Sequence, residues 1–273
     1  MKLSTAMRHV ADLWPEFANQ IGGAPSEKIR ALEALVRRPL PSSYRMFLER
    51  MGLGDAGLGG GFTGSDFHID SLLAHYETAR WGVPKPLLLI GIDHEEGAAQ
   101  LHTCLENTEV DDPPVVYGML RHGMLESSLP AAQSLGELIF RYAFCNFFAF
   151  RRKFEGTGQL FLFDSASIAR LEAVLTGRGL RRHPASEGNA AYFIGADLVA
   201  HYTCPPVGDR LMLLVHGEDE TAISALMERL EQQTGVCSVS IGETADAHLH
   251  LATEDGFDDP EFDDDDTDDE DVS

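Results

Sequence analysis

The sequence predicts an α+β chain of two domains followed by an acidic tail, and three observations carry that expectation. Apolar residues recur at helical spacing through the first fifty positions. Short β-type runs punctuated by proline and glycine follow, and from about Gln159 strand and helix patterns alternate in the order β-α-β-β-β-α-β. With 273 residues and 44% hydrophobic content, the chain can fill two ordinary cores. The expected boundaries are residues 1–153, 154–253 and 254–273, the last stretch being too charged and too poor in apolar side chains to fold alone.

Leu3, Met7, Val10, Trp14, Phe17 and Ile21 step by alternating fours and threes, which is helical spacing. Pro15 should divide the run into two short helices, the second starting at the proline. Ser26 is the expected cap of the next helix, with Ile29, Leu32 and Leu35 as its buried stripe and Glu33 paired to Arg37 on the wet side. Arg38-Pro39-Leu40-Pro41 ends it. Tyr44, Phe47, Leu48 and Met51 then mark the clearest helix, opened near Pro41 and stopped by Gly52. Seven of the thirteen residues from Gly52 to Gly64 are glycine, which predicts a turning loop. Phe67 and Ile69 suggest a short strand, and Asp70 the cap of a helix carrying Leu72, Leu73 and Tyr76.

Leu87 to Ile92 is an unbroken apolar run that reads as a buried strand, ended by the turn Asp93-His94-Glu95-Glu96-Gly97. Ala99 to Leu105 alternates as an antiparallel partner would, and Pro113-Pro114 opens a third strand through Val115, Val116 and Tyr117. Ser134-x-x-Glu137 is a capping box ahead of an aromatic segment, Leu138 to Phe150. That segment is too short to span a bilayer, and its six aromatic residues ring the helix, so it is expected to be core between the domains. In the second half, strand, helix and three strands lead to helix Thr221 to Gln233 and a last strand, a pattern compatible with a ferredoxin-like sandwich carrying one extra strand. Gly177, Gly179 and Gly235 fall where helix ends favour left-handed residues.

Ile29, Leu32 and Glu33, then Leu40-Pro41, Tyr44, Phe47, Leu48 and Gly52, resemble the signature I-x-x-[LF]-E … LP-x-x-[YF]-x-x-F-L-x-x-x-G that opens a SUKH domain, the Smi/Knr type. Leu89-Ile90-Gly91-Ile92-Asp93 with Gly97 is similar to that family's strand–turn–strand hairpin. Val115-Val116-Tyr117 and Leu135 to Phe140 resemble its later strand and closing helix. The resemblance covers residues 20 to 150 or so. It implies helices packed around a mixed sheet, no catalytic apparatus, and binding as the activity. Bacterial members mostly neutralise polymorphic toxins, often nucleases, in the cytosol, and a fungal branch regulates cell-wall synthesis.

Charge points the same way. The chain carries 44 acidic and 21 basic residues, and residues 254–273 hold 13 of the acids with no Lys or Arg, leaving a body net of −10. Such a surface disfavours nucleic acid and anionic membranes and favours basic partners. The first ten residues lack a signal-type apolar run, so a cytoplasmic location is expected. Cys104, Cys145, Cys204 and Cys237 form no C-x-x-C pair. The glycine-rich loop lacks the Gly-Lys-Ser/Thr ending of a phosphate cradle, and no Gly-x-Ser-x-Gly occurs. Asp246, His248 and His250 alternate as zinc ligands on a strand would, but only three are local, and an exposed polar face is the expected reading. His183, His201 and His216 read as ordinary surface or core histidines.

The expectation is therefore a non-enzymatic immunity-type protein without cofactor or metal that sequesters a basic toxin domain. The alternative is a regulatory scaffold for envelope assembly. Candidate partner-binding residues are the acids Asp66, Asp70, Asp93, Glu95 and Glu96 and the tail aspartates Asp263, Asp264, Asp265 and Asp266. The tail reads either as a solubilising extension or as an imitation of phosphate spacing that would speed association by electrostatic steering.

Overall fold

The structure is a computed structural model that describes residues 1–58, 65–78, 83–94, 100–105, 111–121, 124–161, 163–187, 189–204 and 210–244. Glu95, Glu96, residues 59–64 of the glycine-rich loop, Asp246, His248, His250 and the acidic tail with Asp263 to Asp266 lie outside the described residues.

The first half opens with helix α1 (Leu3–Leu13) and the single turn α2 (Phe17–Gln20), which begins two residues beyond Pro15 rather than at it. Strand β1 (Ile21–Gly22) follows, then α3 (Ser26–Val36) and α4 (Ser42–Met51). The helix pair expected from the Leu-Pro corner is present. Ile29 and Leu32 of α3 and Tyr44, Phe47, Leu48 and Met51 of α4 are all buried.

Three local expectations are corrected here. Pro25, not Ser26, is the cap of α3, and no side chain caps it. Arg37 does not pair with Glu33, because it turns out of the helix in the left-handed conformation, φ 55°. Glu33 instead binds the Arg45 guanidinium and accepts from the Leu40 N–H at 3.2 Å, fastening α3 to α4 across the corner. Gly52 ends α4 in a right-handed conformation, so left-handed freedom is not its role. A Cβ there would lie 2.7 Å from the Leu48 carbonyl and 2.8 Å from the Ala24 Cβ, and close approach is what demands glycine.

After β2 (Gly54–Asp55), which pairs with β1, comes α5 (Ile69–Thr78). Ile69 opens this helix instead of belonging to a strand, and Asp70 sits in its first turn rather than capping it. Strands β3 (Leu87–Gly91), β4 (Gln100–Cys104), β5 (Val115–Arg121) and β6 (Met124–Ala132) form a meander in that order. Every pairing among them is antiparallel, which corrects the mixed sheet implied by the resemblance. Strand β6 has no counterpart among the elements expected from the sequence.

Helix α6 (Leu135–Phe144) is capped as expected, with the Glu137 N–H donating to Ser134 Oγ at 3.1 Å. The Glu137 carboxylate reaches back one residue further than a standard box, to the Gln133 N–H at 3.2 Å. Nine of its ten residues are buried. The aromatic run continues as a π-helical turn, Cys145–Ala149, before β7 (Phe154–Phe161) starts the second sheet, six residues earlier than the apolar pattern suggests.

The second half comprises α7 (Ser165–Gly177), the two-residue strand β8 (Arg181–Arg182), β9 (Ala190–Ile194), β10 (Leu198–Thr203), β11 (Arg210–Gly217), α8 (Glu220–Thr234) and β12 (Cys237–Glu243). The sheet order is β12-β7-β11-β10-β9-β8, antiparallel throughout. β11 and β12 therefore run parallel on either side of β7, joined through α8, which is the split βαβ arrangement of a ferredoxin-like sandwich. Two strands exceed the four of that pattern, one more than expected, because β8 adds to the edge of β9. Gly179 and Gly235 are left-handed as expected, whereas Gly177 remains helical.

Helices α7 and α8 lie side by side on one face of this sheet. The other face packs against α6 and the π-helical turn, so Tyr192 and Val199 share a continuous core with the first half. The segment expected to be interdomain core is placed there, Phe140 and Phe144 meeting the Tyr192 ring at 4.8 and 4.9 Å.

Candidate functional site

Of the acidic residues singled out, Asp66 and Asp93 lie close together, on either side of the bridge between Asp66 and Ile92. Asp66 accepts from the His68 N–H at 2.7 Å and contacts the His94 ring at 3.0 Å. Burial would raise its carboxyl, but hydrogen bonds from Ser71, His68 and His94 prevail and hold it below the usual carboxylate range. Asp93 exchanges hydrogen bonds with the Gln100 amide, at 2.9 Å through its N–H and 3.0 Å through its carbonyl. Asp70 is exposed and bridges to Lys28 at 2.6 Å, tying α5 to α3. The Asp66 and Asp70 carboxylates are thus engaged within the fold.

The structure assembles a different group of polar residues between α6 and the second sheet, drawn from strands that no single segment of the sequence brings together. Along β7, Gly156 and Gly158 face α8, where a Cβ would lie 2.6 Å from Ile223 and 2.9 Å from Met227, respectively. The alternate residues Glu155 and Thr157 consequently face α6. Glu155 pairs in register with His216 of β11, and His201 of β10 with Tyr192 of β9. All four are buried, Glu155 and His216 completely.

His216 Nδ1 lies 3.3 Å from Glu155 Oε2, and the Thr157 hydroxyl donates to Glu155 Oε1 at 3.3 Å. Desolvation pushes the Glu155 carboxyl up to about 7, against the opposing pull of Thr157. The two histidine rings stack nearly parallel, 5.9 Å apart. His201 Nε2 lies 3.7 Å from Cys145 Sγ. Burial and then the Arg141 charge hold His201 down to about 3, while burial drives the Cys145 thiol up to about 12. A reactive thiolate–imidazolium pair needs the opposite shifts, so this contact is a neutral, sealed one. Among the described residues no group of three or more His, Cys, Asp or Glu is placed to hold a metal ion.

A crevice of about 240 Å³ lies between β6 and the ends of β10 and β11, and none of the buried cluster's residues Glu155, Thr157, His201, His216 and Cys145 lines it. Leu129 and Ala131 form one wall, Thr203 and Cys204 the other, and Glu137 and Arg141 line it from α6. Arg141 donates to the Ala131 carbonyl at 2.6 Å. Beside the crevice, β6 is an edge strand of the first sheet. It exposes Met124 (69%), Leu125 (37%) and Leu129 (56%), three of the large apolar side chains left in solvent among the described residues. The strand is nine residues long, and its edge is interrupted by Pro130 and by irregular register against β5, while these three apolar side chains stay exposed.

The four cysteines are free thiols, and no helix among the described residues is long and apolar enough to cross a membrane. Comparison with protein-family models and with curated protein sequences matches none of them.

Proposed function

We propose that the chain is a non-catalytic binding protein of immunity type that sequesters a basic toxin domain, with residues 20 to 150 or so forming its SUKH-like part. The observation that carries this reading is the exposed apolar edge of β6 at the mouth of the crevice, on a chain of net charge −23. The apolar strip would supply affinity, and the chain's overall negative charge would favour and steer a cationic partner. The polar cluster supports the same reading, because its carboxyl, imidazoles and thiol are buried where no substrate reaches them.

An immunity protein should be encoded beside a toxin-bearing open reading frame, and the test is binding to the toxin domain of that frame. Wild-type chain should bind it one-to-one and abolish its toxicity. Met124→Asp with Leu129→Asp should weaken the affinity by about a hundredfold or more, since two central apolar contacts are each worth on the order of 1–2 kcal/mol. Full affinity in the double variant, with an unchanged melting temperature, would remove β6 from the interface. Failure of the wild type to bind would remove the immunity reading.

A further inference from the structure

A second concave surface lies away from the crevice, between the end of α3, α5 and the entry to β3. It is a groove of about 660 Å³, within the range of roughly 300–1,000 Å³ typical of ligand sites. Its floor is apolar, from Leu35, Tyr76 and Val83, and its rim carries Arg37, Arg38 and Lys85. Arg37 is presented by the left-handed turn that ends α3, a conformation that costs an arginine about 1 kcal/mol relative to glycine. Arg38 donates to the Lys85 carbonyl at 2.5 Å, which holds the two basic segments together. None of the three cations has an ion-pair partner among the described residues. In a chain with 44 acids to 21 bases, three such cations around an apolar floor form a local inversion of the molecule's charge.

The complementary chemistry is present in this chain. Residues 254–273 read EDGFDDPEFDDDDTDDEDVS, in which Phe257 and Phe262 are the only aromatic side chains and each is flanked by carboxylates. We propose that the segment from Phe257 to Asp266 docks in its own chain's groove, the two phenyl rings on the apolar floor and the flanking carboxylates on Arg37, Arg38 and Lys85. Twelve residues lie between Thr244, the last one described, and Phe257, and these thirteen steps span at most about 45 Å when extended, so the tail can sample a large share of the surface of a compact chain of this size. The neighbouring basic run is a poorer receptor. Arg152 is paired with Glu218, and Arg151 and Lys153 lie over aromatic rings of their own. This docking does not depend on the partner reading above. It adds that a basic partner must compete with the groove for the tail.

The chain has four lysines, Lys2, Lys28, Lys85 and Lys153, so zero-length carbodiimide coupling of the full chain, followed by peptide mapping, reads the docking directly. Lys85 should couple to carboxylates of residues 258–266 several-fold more than the other three lysines do. Replacing Phe257 and Phe262 by Ser leaves the folded body untouched and should cut the Lys85 yield at least threefold. Coupling spread evenly over the lysines, coupling dominated by Lys153, or a Lys85 yield indifferent to both phenylalanines would overturn the proposal. Coupling between isotopically heavy and light copies in a mixture would also overturn it, by assigning the groove to a second copy's tail.

Discussion

The two faces of the six-stranded sheet are equally buried and chemically opposite. Toward α7 and α8 the strands present Leu160, Ala191, Phe193, Leu211, Leu213 and Val215, an apolar layer in which the Tyr202 hydroxyl at its margin donates to Glu172 of α7 at 2.6 Å. Toward α6 they present Glu155, Thr157, Tyr192, His201 and His216. Burial alone therefore does not dictate composition. The first face gains from area and close packing, whereas the second balances desolvation against a few hydrogen bonds, and its stability depends on where protons reside.

Substitutions on the two faces should separate these regimes. The largest effect is expected on the apolar face: Phe193→Ala empties a fully buried site and should cost about 3–5 kcal/mol at every pH, read from denaturant unfolding. On the polar face Glu155→Gln should be pH-dependent. Because the folded carboxyl titrates near 7 and the unfolded one near 4.5, wild-type stability contributed by Glu155 is full below 4.5 and is lost as pH rises to 7. The substituted amide does not titrate, so the variant should match wild type at pH 4.5 and gain on it by up to about 3 kcal/mol by pH 8. His201 acts oppositely, losing stability as pH falls from about 6.5 toward 3, but it is common to both proteins and cancels in the difference. A Glu155→Gln variant that is less stable than wild type at pH 8 would mean an ionised Glu155 paired with a protonated His216, and would break the comparison. The smallest effect is expected for Thr157→Val, which removes one donor to Glu155 at nearly constant volume and should cost less than about 1 kcal/mol.

What the sequence reveals follows from how local each signal is. The α3–α4 pair is legible because Ile29, Leu32, Tyr44, Phe47, Leu48 and Met51 repeat at helical spacing, and the α6 cap because Ser134 and Glu137 are three residues apart. Strand β6 escapes notice because Met124 to Ala132 contains two serines and a proline in place of an alternating pattern. Arg37 is the wrong partner for Glu33 because only a helix continuing past Val36 would keep it in phase, and the chain leaves the helix at that residue. Most of the candidate site is hidden for a different reason. Glu155, His201 and His216 meet only through the register of β7, β11 and β10, which no single segment specifies. One clue is present, the alternation Glu155-Gly156-Thr157-Gly158, in which small residues on one face imply that polar residues occupy the other. The acids chosen for charge alone, Asp66 and Asp70, serve the fold's own hydrogen bonds, because density of carboxylates does not tell which are already engaged.

The most direct test of the binding account is hydrogen exchange of the full chain with and without its basic toxin partner. Backbone amides of residues 124–132 should gain strong protection on complex formation, while those of the sealed sheet face around His201 and His216 stay unchanged. Protection confined to surfaces remote from β6 and the crevice would contradict it.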